Sequence, residues 1–473
     1  MTPTPTIFWF RRDLRLADNP ALLEAVRRGD GDVAAVFVID ASFSRPAGAT
    51  RVAFLRASLE SLNASLGGLL IVRVGDPTSE LEVLAHEIGA REIVATGDYG
   101  PRGAARDVQV RHALGARGID VHFFDSPYVV APGTVHTQSG TPCRVFGAYR
   151  RGWDAQRHPA PVHAPTAVRW RNVLSVSLDE LTNLAASTRP SYFGDLPDEA
   201  PPNLPRAGED AALDQLEGFS TNVATYDVTR DAPGLDVTSR LSAHLRFGSL
   251  HPRQVLEVLE GHSSGASVFR SQLCWRDFYG DVMYHNPASV RQVLQPSLAH
   301  LRVDTDARAV ERFQAWARGE TGYPLVDAGM RQLLREGWMH NRVRMVVASF
   351  LVKHLHLDWR WGARWFMWRL IDGDLASNYH GWQWTAGTGT DAAPFHRVFN
   401  PTRQAERFDP AGSYIHRYVH ELAHVAAPQC LQPGGGEELW RPVGYATPII
   451  DASVERDDAL VRYAEARQHT RDG

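Results

Sequence analysis

Five short apolar runs, set apart by amphipathic stretches, constrain most strongly what this chain can fold into. They are IFWF (7–10), VAAVFVID (33–40), LLIVRV (69–74), REIVAT (91–96) and IDVHFF (119–124). Between them lie PALLEAVRR, RVAFLRASLESL and SELEVLAHEIGA, with apolar residues at helical spacing. Strands that are apolar along their whole length are buried on both faces, and their alternation with helices indicates a parallel, doubly wound sheet. WFRRDLRLADNP follows the first strand without a Gly-x-Gly-x-x-Gly, so the usual dinucleotide fingerprint is absent.

Residues 131–205 are rich in Pro, Ser, Thr and Gly and read as an interdomain connector. Beyond them the texture changes to long helical patterns rich in Trp, Arg and His. At 473 residues the chain exceeds one ordinary core. The expected fold class is therefore α/β: a Rossmann-like parallel-sheet domain over 1–130, the connector over 131–205 and an all-α domain over 206–473.

With 44% apolar and 22% charged residues the composition is that of a globular protein. No apolar run is long enough to span a bilayer, and MTPTPTIFWF lacks the features of a signal peptide. Cys143, Cys274 and Cys430 are scattered and odd in number, which argues for a reducing compartment and a cytoplasmic reading. The net charge of −4 means that any nucleic-acid surface must be a local basic patch. Lys353 is the only lysine.

Four blocks of the helical half could carry chemistry. TSRLSAHLRFG (238–248) gathers hydroxyl residues at a helix start, which suits a phosphate, although taken alone the block is better explained as an ordinary helix cap. QLCWRDFYGDVMYHN (272–286) interleaves aromatic and basic residues in a way that suits base stacking, with core packing as the alternative. In TGYPLVDAGMRQLLREGWMHNRVRM (321–345), arginines 331, 335, 342 and 344 predict a basic face, whether ligand-binding or merely solvated. In the fourth block, Asp372 and Asp374 flank a glycine and are followed by Asn378, Trp382 and Trp384. No Cys/His set completes a metal shell there, and the aromatic surroundings fit a flat organic cofactor better. Seven tryptophans lie between Trp338 and Trp384. Indole is readily oxidised, so such a series can carry electrons; core packing explains any single member.

In this order and spacing, FWFRRDLRLADNP, GYPLVDAGMRQL, WMHNRVRM, IDGDLASN and WQWTAGTGTDAAPF resemble the photolyase/cryptochrome family over nearly the whole chain, most of all its class I cyclobutane-dimer photolyases. The resemblance implies an N-terminal antenna domain and a C-terminal domain holding FAD. It implies light-driven repair of cyclobutane pyrimidine dimers by electron transfer from photoexcited reduced FAD to a flipped-out lesion. A monomer acting on ultraviolet-damaged DNA, with no obligate protein partner, is the corresponding expectation. A cryptochrome-like photoreceptor and a (6-4) photolyase are the alternatives on the same fold, and a flavin-free nucleic-acid-binding protein is a rival of another class.

Carried over by position, Tyr226 and Thr238, Ser239, Arg240, Leu241 and Ser242 would hold the flavin phosphates. Arg344 and Asp372 would pair beside the ring; Gly373 and Asp374 would meet its polar edge, and Asn378 would face N5. Trp275 and Trp384 would stack on the lesion, with Gln272, Arg276, Asn341 and Met345 nearby, and Arg230, Arg342 and Arg397 would contact phosphates. Trp382 and Trp359 match the proximal and middle members of the family's tryptophan chain.

Three departures qualify the resemblance. Gln272 stands where these photolyases carry a glutamate; (6-4) photolyases and animal cryptochromes have glutamine there. WMHNRVRM nevertheless lacks the paired histidines of the (6-4) enzymes, so the cyclobutane dimer remains the expected substrate, with weaker catalysis. LRVDTDARAVERFQAW has no tryptophan before Trp316, where the distal chain member belongs; Trp361 is the candidate substitute, and slow photoreduction is expected. Arg102 and Gly103 replace the pair that binds a folate antenna, whereas Arg51, Asp98 and Arg106 match positions used by deazaflavin-binding relatives. Deazaflavin is therefore expected in preference to folate.

Overall fold

The computed structural model describes residues 4–44, 47–184, 189–259, 263–391, 397–435 and 442–472. The end of the WQWTAGTGTDAAPF motif, from 392, lies outside the described residues. Two compact units divide the chain, each discontinuous in sequence. One comprises Met1–Thr188, Pro205–Asp227 and Ser239–Pro287, the other Arg189–Leu204, Val228–Thr238 and Ala288–Gly473.

The first unit is built on a parallel sheet. Strands β1 (Thr6–Phe10), β2 (Asp32–Ile39), β3 (Ile71–Val74), β4 (Glu92–Thr96) and β5 (Asp120–Phe124) lie in the order β3-β2-β1-β4-β5. β1 is buried at every position, as a central strand covered on both faces must be. Ile7, Trp9, Val36, Ile71, Leu81, Leu84, Ile93 and Leu114 fill one core beneath the helices. The helices start where short polar side chains can cap them. Asn19 accepts from the Leu22 amide ahead of Pro20–Arg28, and Asp76 from Ser79 ahead of Pro77–Ile88, each with proline at the first turn.

The stretch read as a connector contributes structure of its own. A further strand, β6 (Arg169–Trp170), pairs in parallel with the start of β2, and helix Phe146–Asp154 buries Tyr149 and Trp153. A two-residue strand shows no periodicity, and FGAYRRGWD breaks its apolar pattern with glycines and arginines. Segment 239–287, helical in sequence character, is tied to the sheet by buried charge. The Arg253 guanidinium meets Asp18 at 3.1 Å and Asp125 at 2.7 Å.

Asp277, fully buried on helix Ser264–His285, accepts from the Val130 amide and Trp153 Nε1, both at 2.9 Å. Burial pushes its pKa up to about 6, against the opposing pull of Arg276. The folded state thus binds a proton more tightly than the unfolded chain, and this group's contribution to stability falls as pH rises through that range. Asp277→Asn keeps an acceptor for both donors and cannot ionise. Its melting temperature relative to wild type is expected to be higher at pH 7 than at pH 4; a constant difference across a pH series of melts would disprove this.

The second unit is helical: Ala307–Arg318, Pro324–Glu336, Asn341–Lys353, Trp359–Arg369, Leu375–Ala386, Pro401–Phe408 and Ala452–Asp472 are its main helices. Asp306, Asp358, Asp374 and Asn400 cap four of them. Trp316 and Trp365 are wholly buried, and Trp316 Nε1 donates to the Val347 carbonyl at 3.0 Å. Lys353 is buried too, its Nζ donating to the Arg397 carbonyl at 2.9 Å. No helix among the described residues is long and apolar enough to cross a membrane.

Candidate functional site

In the second unit, helices Asn341–Lys353 and Leu375–Ala386 bring four of the expected residues into a defined arrangement. Arg344 donates to both carboxylate oxygens of Asp372, Nη1 at 3.2 Å and Nη2 at 2.8 Å, and its Nε donates to the Met339 carbonyl. Asp372 is almost wholly buried, whereas Arg344 keeps partial access. Asp374 is the N-cap of Leu375–Ala386 and accepts from the Ser377 amide at 3.0 Å. One turn later Asn378 donates its amide to the Ala363 carbonyl at 2.9 Å, which fixes which end of its side chain is an oxygen.

Trp382, on the same helix, lies against the bare backbone of Gly362: a Cβ there would stand 2.1 Å from the indole. Trp382 Nε1 and Trp359 Nε1 are buried without a hydrogen-bond partner. Trp384 and Met345 are half-buried, and Asn341 is exposed. His340 caps helix Asn341–Lys353 through Nδ1, and burial lowers its pKa to about 4, so it remains neutral.

The basic face expected over 321–345 is largely neutralised. Arg331 pairs with Glu421 at 2.6 Å, Arg342 with Asp231 at 3.0 Å and Arg344 with Asp372, because each guanidinium that approaches the interior needs a countercharge. Further cations gather around Arg342. Arg342 and Arg397 line a cleft of about 280 Å³ with Arg403, Arg407, Asn400, Gln404, Phe399 and Phe408. Arg403 and Arg407 were not expected from the sequence, although their spacing of four in PTRQAERF, on helix Pro401–Phe408, puts them on one face. Arg230 is half-buried, 3.9 Å from Asp231.

The 238–242 run carries two marks of a binding segment. Thr238 Oγ1 is buried without a hydrogen-bond partner, and Arg240 has a φ of +50°, in the left-handed region. Leu241 is buried, and Ser242 begins the short helix Ser242–Phe247. In the first unit, Tyr226 packs edge-on against Phe269 at 5.0 Å. Trp275 stacks on Phe146, centroids 3.8 Å apart and planes at 8°. The support thus comes from Phe146, within the stretch read as a connector. Gln272 is half-buried, its amide 3.4 Å from the Val268 carbonyl.

The Arg276 guanidinium is engaged within its own unit. It donates to the Pro127 carbonyl at 2.8 Å and the Leu245 carbonyl at 3.1 Å and lies over the Tyr128 ring, so its charge holds the unit together. In the sheet, β1 and β4 are neighbours whose chains leave in opposite directions, the crevice where open α/β sheets bind ligands. There Asp98 lies 3.4 Å from Arg106. Burial would raise the Asp98 pKa, but Arg12, Arg11 and Arg106 together hold it below the usual carboxylate range. Arg11 and Arg106 both lie over the Trp9 ring. Gly103 leaves room for the Asp98 carboxylate, which a Cβ would meet at 2.1 Å, and Arg51 is buried in helix Ala49–Ser65. Among the described residues one His/carboxylate group could hold a metal, His356 with Glu455 and Asp458, but Arg462 already pairs with Asp458 at 2.8 Å.

Comparison with known proteins gives these arrangements a context. Residues 6–166 match the profile of DNA photolyase, and residues 269–465 that of the FAD binding domain of DNA photolyase. The deoxyribodipyrimidine photo-lyase of Agrobacterium fabrum is 38% identical over 98% of this chain and 99% of its own length. That of Escherichia coli is 35% identical over the same shares. Among solved structures, a bacterial class III photolyase from Agrobacterium tumefaciens superposes with a TM-score of 0.87, at 37% identity over 99% of this chain and 98% of its own. An archaeal photolyase from Sulfolobus tokodaii with two FAD molecules gives 0.83, at 30% identity over 97% and 99%. Sheet unit and helical unit thus each have their counterpart in the same group of enzymes, and the chain belongs to the DNA photolyase family.

Proposed function

We propose that this enzyme uses light to repair cyclobutane pyrimidine dimers in DNA, with reduced FAD as its cofactor. The observation that carries this reading is the set Arg344, Asp372, Asp374 and Asn378, whose side chains are fixed by their own hydrogen bonds and ion pair. The residues fit the cofactor. Thr238, with its orphaned buried hydroxyl, suits a phosphate oxygen, and Tyr226, Ser239, Arg240 and Ser242 are proposed as further phosphate partners. A guanidinium, two carboxylates and an amide suit the edge of a flavin ring; Gly373, between the two aspartates, is buried with its N–H donating to the Leu370 carbonyl.

When bound, reduced FAD supplies the light-driven electron that opens the cyclobutane ring and takes it back, so that two carbon–carbon bonds break without net redox change. The chain's own residues bind and orient. Arg344, held by Asp372, sets a positive charge where an anionic reduced ring gains from it. Trp275, backed on one face by Phe146, offers its other face to an extruded base, with Gln272 on the same helix; Trp384, Asn341 and Met345 are the second unit's own candidates for lesion contact. Extruding a damaged pair costs a few kcal/mol, which stacking at about 1–3 kcal/mol per base offsets. Arg230, Arg342 and Arg397, joined by Arg403 and Arg407, hold the phosphates; Arg276 is left out for the reason given above.

The test is repair of an oligonucleotide carrying one thymine cyclobutane dimer, with the flavin chemically reduced beforehand. Restoration in light and none in a parallel dark sample is the expected result. Failure with full flavin occupancy would shift the reading to a (6-4) photolyase or a cryptochrome-like photoreceptor, which Gln272 favours. For the antenna we propose a deazaflavin near Asp98, Arg106 and Arg51; a folate extracted from protein made in its native host would overturn that assignment.

A further inference from the structure

We infer that oxidising equivalents formed at Trp382 leave through Trp316 and Phe313 to a terminal pair, Trp361 stacked on Tyr192. The inference rests on the flavin reading above and concerns how the cofactor reaches its reduced form. Consecutive ring contacts mark the route. Trp382 and Trp316 have centroids 6.1 Å apart, Trp316 and Phe313 5.8 Å, Phe313 and Trp361 5.7 Å, and Trp361 and Tyr192 4.7 Å with planes at 18°. Trp316 is wholly buried, whereas Trp361 and Tyr192 are only half-buried. The path therefore runs from the interior to solvent.

The electron count closes. Trp382 yields one electron to photoexcited oxidised flavin, Trp316 refills Trp382, and Trp361 refills Trp316 across Phe313, whose benzene ring is too hard to oxidise and serves as the medium. The Trp382 indole N–H has no acceptor, so its cation passes the charge on instead of losing a proton. Trp316 Nε1 donates to a backbone carbonyl, which is no base either. At Trp361 the indole proton can pass to water, and an external thiol then returns a hydrogen atom and is itself oxidised.

Stacking lets Tyr192 share the charge of the oxidised indole. The Tyr192 hydroxyl is buried with no hydrogen-bond acceptor among the described residues to take its proton, so the radical rests on tryptophan. Trp359 offers a poorer exit: it is buried, and the ring contact it makes is a perpendicular one with Tyr379 at 6.0 Å. The indole missing ahead of Trp316 is thus replaced by an aromatic pair drawn from two distant stretches of sequence.

The experiment is flash photolysis of flavin-loaded full-length protein with a thiol present, in wild type, Trp361→Phe, Trp361→Tyr and Tyr192→Phe. Wild type should give a long-lived neutral tryptophanyl radical. Trp361→Phe should remove it and slow steady-state photoreduction by at least an order of magnitude. Trp361→Tyr, with an oxidisable ring, should restore part of the rate, and Tyr192→Phe should shorten the radical's lifetime. Flavin content of each variant guards against a folding defect. Photoreduction of Trp361→Phe at the wild-type rate, or a tyrosyl radical in wild type, overturns the relay alone, since repair with chemically reduced protein tests the flavin reading separately. Wild-type protein that binds no flavin overturns both.

Discussion

Asp372→Ala is expected to yield protein that purifies without flavin and melts well below wild type. The carboxylate is almost wholly buried and takes two hydrogen bonds from Arg344, so its removal strands a partly buried guanidinium. Breaking a buried pair costs about 3–5 kcal/mol, and the access Arg344 retains brings the expected loss to about 2 kcal/mol. The guanidinium also loses the partner that aims it, and the ring-holding set with it. Asp372→Asn, which keeps the shape and one acceptor oxygen, should fall between the two in both flavin content and melting temperature. Flavin absorbance per protein and a thermal melt on the same preparations measure both effects; an alanine variant with full flavin occupancy would show that the pair does not serve the cofactor.

Trp275→Ala should weaken binding of dimer-containing DNA and leave binding of undamaged duplex nearly unchanged. Loss of one base-stacking face is worth about 1–3 kcal/mol, or roughly five- to 150-fold in Kd. Phe146→Ala should produce a smaller loss of the same kind, because the indole then keeps its surface but not its backing. Arg403→Ala and Arg407→Ala should behave in the opposite way, weakening damaged and undamaged DNA alike and each reducing the salt slope by about 1. Titrations of both DNAs at several salt concentrations separate the two patterns. Equal losses on both DNAs in Trp275→Ala would remove this residue from lesion recognition.

How legible these features were depends on the range of the forces behind them. The five strands were readable because each is a continuous apolar run bounded by turns, and the structure places all five within two residues of expectation. β6 was not, since two residues paired by register alone leave no pattern. The helical character of 239–287 was evident, but its membership of the sheet-bearing unit depends on buried pairs such as Arg253 with Asp18 and Asp125, partners more than a hundred residues away in sequence. The backbone partners of Arg276 are not legible in sequence, because a basic residue beside an aromatic one looks the same whether it meets a ligand or two carbonyls of its own chain. Phe146 is silent in sequence for the same reason: a lone aromatic in an irregular stretch gains meaning only from the ring it covers.

The burial of Lys353 means that no described primary amine side chain is offered to solvent. Every side-chain cation available to a phosphate is then a guanidinium or an imidazolium. Guanidinium stays protonated far into the alkaline range, so affinity for DNA should hold where a lysine-based surface would begin to discharge. Acetylation, which silences ammonium groups, has nothing to act on among those side chains, and footprinting of the bound face calls for dicarbonyl reagents that modify arginine.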